Sequence, residues 1–598
     1  MTPDQGGSGT FPGERLHRDH PLVADKHVRD ALRGVSLFSE LSEEMREEII
    51  GDSKLVRLRA RDWLFRQDDL GDALYVVCSG RLEVVRERPG PAAPIRVVAR
   101  GEAVGELALL TDSRRSAAVR AIRESELLQV GREQVLRLLT ASPPFASALT
   151  RALGRMLQAS GSPLRASRPR SAVIAVVPVQ GNVAVRDFSD QLLRAVSRWG
   201  SATVLAPGEL DDEELDAGSA FSAYGRALDR REREHDYVIL VGAGEEDHAW
   251  NAFCRRQADR LVAVSLPTAA VPAHRASELD NGDIVLWGPP GQTSRGATSF
   301  LATLTPRAHH FVDSGAGYAA DVERLARRLL GHSVGVVLSG GGAGGLAHIG
   351  VLETLVDGGV QIDRAGGCSF GAFVGGMFAM GKTPAEIAAT CREQLVARKP
   401  FNDYVVPRRS FIRGRKALAM LKLVLGSVDI EQLPLDFYSV SSDLLTAEVV
   451  VHRRGSLAQA VRASASVPGL AAPMRTAGRL LVDGGVLNNF PVDVMAATRE
   501  GPIIAIDVMG RRLHGAQSAP SDDGPPDTGA PLIHEVLARA TALGSWRDAD
   551  RMREQAQLVS APDLLNTSIS DFKRLDPIVD AGRRAARAVL AEAQKLSG

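Results

Sequence analysis

The chain has 598 residues, 44% of them hydrophobic and 24% charged, a composition that excludes fibrous and wholly disordered classes and leaves room for roughly two to four domains. Lys+Arg and Asp+Glu both number 72, so the net charge is zero and the total implies no polyanion-binding surface, which speaks against a nucleic acid polymer as partner. No run of about 18 apolar residues occurs, so nothing is expected to span a bilayer.

Residues 1–27 read as a polar, Gly/Pro-rich tail without the apolar stretch of a signal peptide. From 28 to 155, short strands with turn residues are bracketed by helices. LYVVCSGRLEVVRE (74–87) alternates like a strand pair around Ser79-Gly80. Residues 156–171 form a Ser/Pro/Arg-rich linker. Within 172–312, SAVIAVVPV, ATVLAP, DYVILVG and RLVAVS are continuous apolar runs separated by helical patterns, the mark of buried parallel strands in a Rossmann-like α/β layer. Its first loop, VQGNVAVRD, lacks the second glycine and the lysine of a P-loop, so nucleotide hydrolysis is not expected. A further α/β block runs from about 325 to 598 and contains a polar segment, 512–531, that reads as a disordered loop.

Four widely spaced cysteines (Cys78, Cys254, Cys368, Cys391) show neither a disulfide framework nor metal-ligand spacing. A reducing, cytoplasmic setting is expected, with no metal.

Residues 104–120, VGELALLTDSRRSAAVR, resemble the phosphate-binding cassette of the cyclic nucleotide-binding domain. A helix start offers backbone N–H groups to a phosphate, and an Arg offers a planar charged fork. The resemblance implies a β-roll over 28–155 in which Gly105, Glu106, Arg115 and Ser116 take cAMP or cGMP as an allosteric ligand. Ser116 resembles the cAMP-binding members more. Glu106 would accept the ribose hydroxyl.

The stretch GVVLSGGGAGGLAHIG (335–350) sets a glycine cluster between a strand and a helix. Gly340, Gly342 and Gly345 satisfy the dinucleotide fingerprint, and Asp363 lies 18 residues on, but that motif alone is weak. One βα unit later comes GGCSFG, which holds G-x-S-x-G with Gly367, Ser369 and Gly371, the form of a nucleophile elbow. LLVDGGVLNNFPV then ends an apolar run at Asp483 before two glycines. A glycine loop, an elbow and a carboxylate at a strand end are what acyl transfer needs.

Together these motifs resemble the patatin-like phospholipases over about 325–598, and the whole chain is similar to bacterial members of the neuropathy target esterase group. That resemblance implies a patatin-like α/β hydrolase domain with a Ser369–Asp483 dyad, an oxyanion hole at Gly340, Gly341 and Gly342, no catalytic cofactor, and a (lyso)phospholipid ester as substrate. The family usually has Arg where this chain has Gly344. His348 reads as a packing or surface residue. Of the histidines after Asp483, His514 lies within the polar loop and His534 just beyond it, so a dyad is expected rather than a triad. A dyad demands that burial lift Asp483 above the ordinary carboxylate value of about 3.9.

FIRGRKALAMLKLVLG (411–426) sets Arg413, Arg415, Lys416 and Lys422 beside Leu418, Met420, Leu421 and Leu425. It reads either as a cationic helix lying in the headgroups at the inner membrane face or as a helix facing the core. Two other functions stay open: a cyclic-nucleotide sensor with an inactive hydrolase domain serving as a binding platform, and a dinucleotide enzyme.

Overall fold

The computed structural model describes residue 38 and residues 41–597, apart from 88–92, 111–112, 161–171, 181–184, 210–219, 245–247, 268–278, 280–281, 290, 295, 407–409, 511–535, 538–539, 541–542, 546 and 565–566. The expected tail, and the polar loop 512–531, lie outside the described residues. Two compact units divide the chain: Met1–Ser189 with Gly200–Val262, and Asp190–Trp199 with Ala263–Gly598.

In the first unit, eight short strands form two four-stranded antiparallel sheets. One runs in the order Lys54–Leu58, Ser125–Gly131, Ala73–Ser79, Ala103–Val104. The other runs Trp63–Phe65, Ala118–Ala121, Arg81–Arg86, Ala93–Ala99. Alternating residues fill two small cores, around Leu74, Val76, Leu128 and Phe145 and around Val77, Leu82, Val98 and Val119. The expected strand pair at 74–87 is corrected here. Both strands form, but they lie in different sheets. At Gly80 the chain turns with φ 90°. Ala73–Ser79 then pairs with Ser125–Gly131 and Ala103–Val104, while Arg81–Arg86 pairs with the next strand, Ala93–Ala99, and with Ala118–Ala121. This is the β-roll of a cyclic nucleotide-binding domain.

The helix Pro143–Ser160 runs five residues into the stretch read as linker. Beyond the linker, Ala202–Leu205, Tyr237–Val241 and Ala172–Pro178 pair side by side in parallel within the same unit. Buried ion pairs fasten the β-roll to this layer: Arg123 donates to both oxygens of Glu232 at 2.9 Å, and Arg81 pairs with Asp259.

The second unit begins its strands with Asp283–Gly288 and Ala308–Asp313, paired in parallel. The helix Tyr318–Leu330 follows. An eight-stranded sheet then runs in the order Met474–Thr476, Arg479–Asp483, Asp436–Asp443, Ile362–Cys368, Val334–Leu338, Ile503–Ile506, Leu558–Ser560, with Glu448–His452 beside Asp436–Asp443. From Asp436–Asp443 to Leu558–Ser560 the pairing is parallel, and Arg479–Asp483 joins antiparallel. Strands buried on both faces read as apolar runs for this reason. The helices Ala347–Asp357, Phe370–Ala379 and Leu575–Arg587 pack around the sheet through one continuous core. The chain is thus multidomain, with a β-roll, central α/β sheets and a C-terminal α/β hydrolase fold.

Candidate active site

The sheet delivers the site through its register. Leu338 sits opposite Gly367, and Cys368 opposite Val440. One strand further, Ser441 faces Asp483. The glycine loop, Ser369 and Asp483 therefore meet at the carboxyl end of the parallel strands, where open α/β sheets place their ligands.

Ser369 sits between the strand Ile362–Cys368 and the helix Phe370–Ala379 with φ 52° and ψ −121°. A non-glycine residue held there is strained, and the surroundings must enforce it. They do so by close packing. A Cβ at Gly371 would stand 2.3 Å from the Leu338 carbonyl oxygen, and one at Gly367 would stand 2.7 Å from the Gly371 carbonyl carbon. The Ser369 N–H donates to Ser464 Oγ at 2.8 Å.

Ser369 Oγ donates to Asp483 Oδ2 at 2.7 Å. Asp483 Oδ1 accepts from the Gly485 N–H at 2.7 Å, and the Cys368 thiol lies 3.6 Å from the same oxygen. Only 5% of Asp483 is exposed. Burial pushes its pKa from 3.8 up to about 6, against the pull of its bonds from Ser369, Gly485 and Cys368. Burial also raises the Cys368 thiol well above its usual range, so Cys368 stays protonated and can only donate.

In the glycine loop, the Gly340 N–H donates to the Asn489 carbonyl at 3.1 Å, and Asn489 Nδ2 donates back to the Gly340 carbonyl at 3.2 Å. The Gly340 amide is thereby spent. Gly340 lines the site as a wall against Ser369: a Cβ there would stand 3.2 Å from the Ser369 Cβ. Gly341 leads into the turn Gly342–Leu346, in which Gly344 is buried. The Ala343 N–H donates to the Ile569 carbonyl at 2.8 Å, so the C-terminal segment props the loop from outside.

His348 is fully buried, and its Nε2 donates to the Ser339 carbonyl at 2.8 Å. Burial lowers its pKa to about 4, so it is a neutral packing residue with no contact to Ser369. His514 and His534 lie outside the described residues. Asp363 lies at the opposite end of its strand from Ser369, and Arg327 grips both its oxygens at 2.9 and 2.6 Å. It cannot serve a ribose beside the glycine loop, so the dinucleotide reading falls.

In the β-roll, Arg115 and Glu106 are buried while Ser116 is exposed. Arg115 Nη1 donates to the Gly105 carbonyl and Nη2 to the Ala73 carbonyl, both at 2.9 Å, with Asp72 Oδ1 at 3.3 Å. Its guanidinium lies 4.1 Å over the Phe65 ring. Arg115 Nε and Glu106 Oε2 are buried without partners. Burial raises the Glu106 carboxyl above its usual range.

Sequence reasoning missed Ser464, Asn489 and Ile569 as supports of the site. Ser464 stands in VRASASVPG (461–469) and Asn489 in the LNNFP that follows Asp483, yet no spacing rule assigns them a task. Among the described residues no helix is long and apolar enough to cross a membrane.

The class this fold belongs to is that of the patatin-type carboxylic ester hydrolases, here joined to a cyclic nucleotide-binding module. Residues 336–496 match the patatin-like phospholipase family, and residues 55–142 match the cyclic nucleotide-binding domain. An NTE family protein of Mycobacterium tuberculosis is 33% identical, the match covering 96% of this chain and 98% of that one. The chain belongs to the NTE family. Lysophospholipase nte1 of Neurospora crassa is 24% identical over 94% of this chain, and neuropathy target esterase sws of Drosophila melanogaster 27% identical over 75%. The matches span only 43% and 36% of those two longer proteins.

Proposed function

We propose that the chain releases a fatty acid from lysophospholipid or phospholipid by a Ser369–Asp483 dyad, and that cyclic nucleotide bound in the β-roll regulates it. The observation that carries the catalytic part is the 2.7 Å bond from Ser369 Oγ to Asp483 Oδ2, made on a strained elbow by a carboxyl that burial lifts to about 6. A base near the working pH combines the ionised form with useful proton affinity.

Ser369 Oγ attacks the ester carbonyl as its proton passes to Asp483 Oδ2. Main-chain N–H groups of the Gly341–Gly342 turn and of Phe370, the first residue of its helix, hold the oxyanion. Helix starts carry N–H groups with no intrahelical acceptor. Collapse of the tetrahedral intermediate expels the glycerol alkoxide, which takes the proton from Asp483. Water then gives a proton to the same carboxylate and attacks the acyl-enzyme, and collapse frees the acid as Ser369 Oγ takes that proton back from Asp483. Main-chain donors suffice for this scheme, so Gly344 in place of the usual Arg does not disable it.

Two buried atoms without partners, Glu106 Oε2 and Arg115 Nε, support the nucleotide part. A ribose hydroxyl would satisfy the carboxylate. A cyclic phosphate would draw the Arg115 fork away from the Gly105 and Ala73 carbonyls, and that exchange gives the ligand something to alter in the protein.

The test is fatty-acid release from lysophosphatidylcholine by the full chain and by Ser369→Ala, each with and without cAMP. The expected result is release by the parent alone, changed in rate by cAMP. Equal release from both proteins would remove Ser369 from the chemistry. No release from either, with no labelling by a fluorophosphonate, would favour the sensor with an inactive hydrolase domain.

A further inference from the structure

Packing decides between the two readings of the helix Arg415–Leu425. Its apolar side, with Met420, Leu421, Val424 and Leu425, is buried in the hydrolase core. Those residues are not available to lipid. Three apolar side chains close by are left in water instead: Val406 is 86% exposed, Tyr404 75% and Leu423 62%.

Tyr404 and Val406 belong to the first arm of a short hairpin whose described arms are 403–406 and 410–413. Tyr404 bridges Ile412, and the Val405 N–H donates to the Phe411 carbonyl. The hairpin is fixed to the helix start, since Asp403 Oδ2 accepts from the N–H groups of Arg415 and Lys416. Leu423 stands seven residues beyond Lys416, on the same exposed side of the helix.

Four cations share this face. Arg413, Arg415, Lys416 and Lys422 are all exposed, and none takes part in an ion pair among the described residues. Asp403 is the one acid in the hairpin, and its Oδ2 already caps the helix. Exposed apolar side chains ringed by unpaired cations suit an interface that is apolar inside and negatively charged at its surface. A tyrosine suits its polar boundary.

The same face is wired to the dyad. Ser464 holds the Ser369 N–H, and the Ser466 carbonyl accepts the Asp483 N–H at 2.9 Å. Within six residues of Ser464, the carbonyls of Gly469 and Leu470 accept from Phe411 and Ile412 at 2.8 and 3.0 Å. A row of aromatic rings also runs from Phe370, next to the nucleophile, through Phe572 to Phe401 at the foot of the hairpin, with centroids 5.7 and 5.5 Å apart.

We infer that the hairpin around Tyr404 and Val406, with the exposed side of the helix Arg415–Leu425, docks the rim of the active site on an anionic lipid bilayer. This deepens the proposed function and rests on its lipid substrate. Tyr404 and Val406 enter the headgroup layer, the four cations meet lipid phosphates, and an acyl ester leaves the bilayer toward Ser369 past the aromatic row.

The test uses the full chain as Ser369→Ala, so that vesicles stay intact, in co-sedimentation with phosphatidylcholine vesicles with and without phosphatidylglycerol. Binding is expected only with phosphatidylglycerol and should weaken with salt. Removing a cation near such a surface weakens partition about fivefold. Arg413→Gln, Arg415→Gln, Lys416→Gln and Lys422→Gln combined should therefore cost on the order of several hundredfold. Tyr404→Ser, Val406→Ser and Leu423→Ser combined should also release the protein. With Ser369 present, both combined variants should hydrolyse a soluble short-chain ester like the parent, which shows that they are folded. No vesicle binding, equal binding to neutral vesicles, or full binding by the charge variant would overturn the docking surface. In the last case, an acidic protein partner would better explain the cations. A parent that binds anionic vesicles but cleaves no ester would instead keep the surface and sink the proposed chemistry.

Discussion

Asp483 is held in an environment that disfavours its ionised form, and two consequences can be measured. If it is the base, kcat/KM rises with pH through an acid limb near 6, the value to which burial lifts it. A limb near 4 would mean a solvated carboxylate or another base. The second consequence concerns stability. A carboxyl whose folded pKa lies above its unfolded one binds extra protons in the folded state. Its contribution is therefore full below pH 4, falls as pH rises toward 6, and stays low above that. A shift from 3.8 to about 6 corresponds to about 3 kcal/mol at most. Asp483→Asn should abolish ester hydrolysis yet raise stability at pH 8 by about 1–3 kcal/mol, read from urea unfolding. Loss of both activity and stability would mean that the carboxylate is structurally required. Ser464 makes a different demand. Ser464→Ala leaves the Ser369 N–H without its acceptor in a strained turn, so kcat should fall about tenfold or more while KM holds, at about 1–3 kcal/mol of stability.

The opposite, amino end of the parallel strands is organised by charge. There the helix Tyr318–Leu330 is tied down by Arg328, which donates to Glu500 at 2.6 Å, while Arg307 reaches the other oxygen of Glu500 at 2.7 Å. Burial alone would raise the Glu500 carboxyl, but Arg328 and Arg307 outweigh it and hold the pKa at about 2. Its contribution is present above the unfolded value of 4.5 and is lost as pH falls toward 2. Glu500→Gln leaves the buried Arg328 with only the 3.7 Å contact to Asp436, while Arg307 keeps Asp283, and should cost about 3–5 kcal/mol in urea unfolding. A loss below about 1 kcal/mol would show that water already compensates them.

This network also marks what the sequence could tell. Glu500, Arg307 and Asp283 are far apart in the chain, and nothing in their spacing announces a cluster. The three catalytic motifs were legible because each is contiguous and each answers one local steric or electronic need: glycines beside Ser369, a carboxylate at a strand end, bare amides at a helix start. Ser464, Asn489 and Ile569 act across the fold, so only register reveals them. The pair of strands at 74–87 was read by local alternation, which fixes strand character but not the partner. The basic helix at 415–425 showed its two faces in the sequence, yet which face the core would take depended on packing supplied by Phe373, Leu433 and Val461.

On the scale of the whole chain, the β-roll and the hydrolase sheet fall in different compact units, and each offers its own handle on stability. Calorimetry should show two transitions. A ligand held at 100 times its Kd stabilises the unit that binds it by about 2.7 kcal/mol, so cAMP should raise one transition and leave the other in place. Asp483→Asn, at pH 8, should raise only the other. Arg115 allows a sharper version, because it serves the apo protein as well as the ligand: two main-chain carbonyls, Asp72 and the Phe65 ring all rest on it. Arg115→Gln should lower the β-roll transition without ligand and also cancel its response to cAMP. A lowered transition that still responds to cAMP would show that phosphate is held by other groups and that Arg115 is a structural strut. An Arg115→Gln protein whose ester hydrolysis keeps the parent's cAMP response would cut the proposed link between nucleotide and catalysis, while leaving the Ser369–Asp483 chemistry untouched.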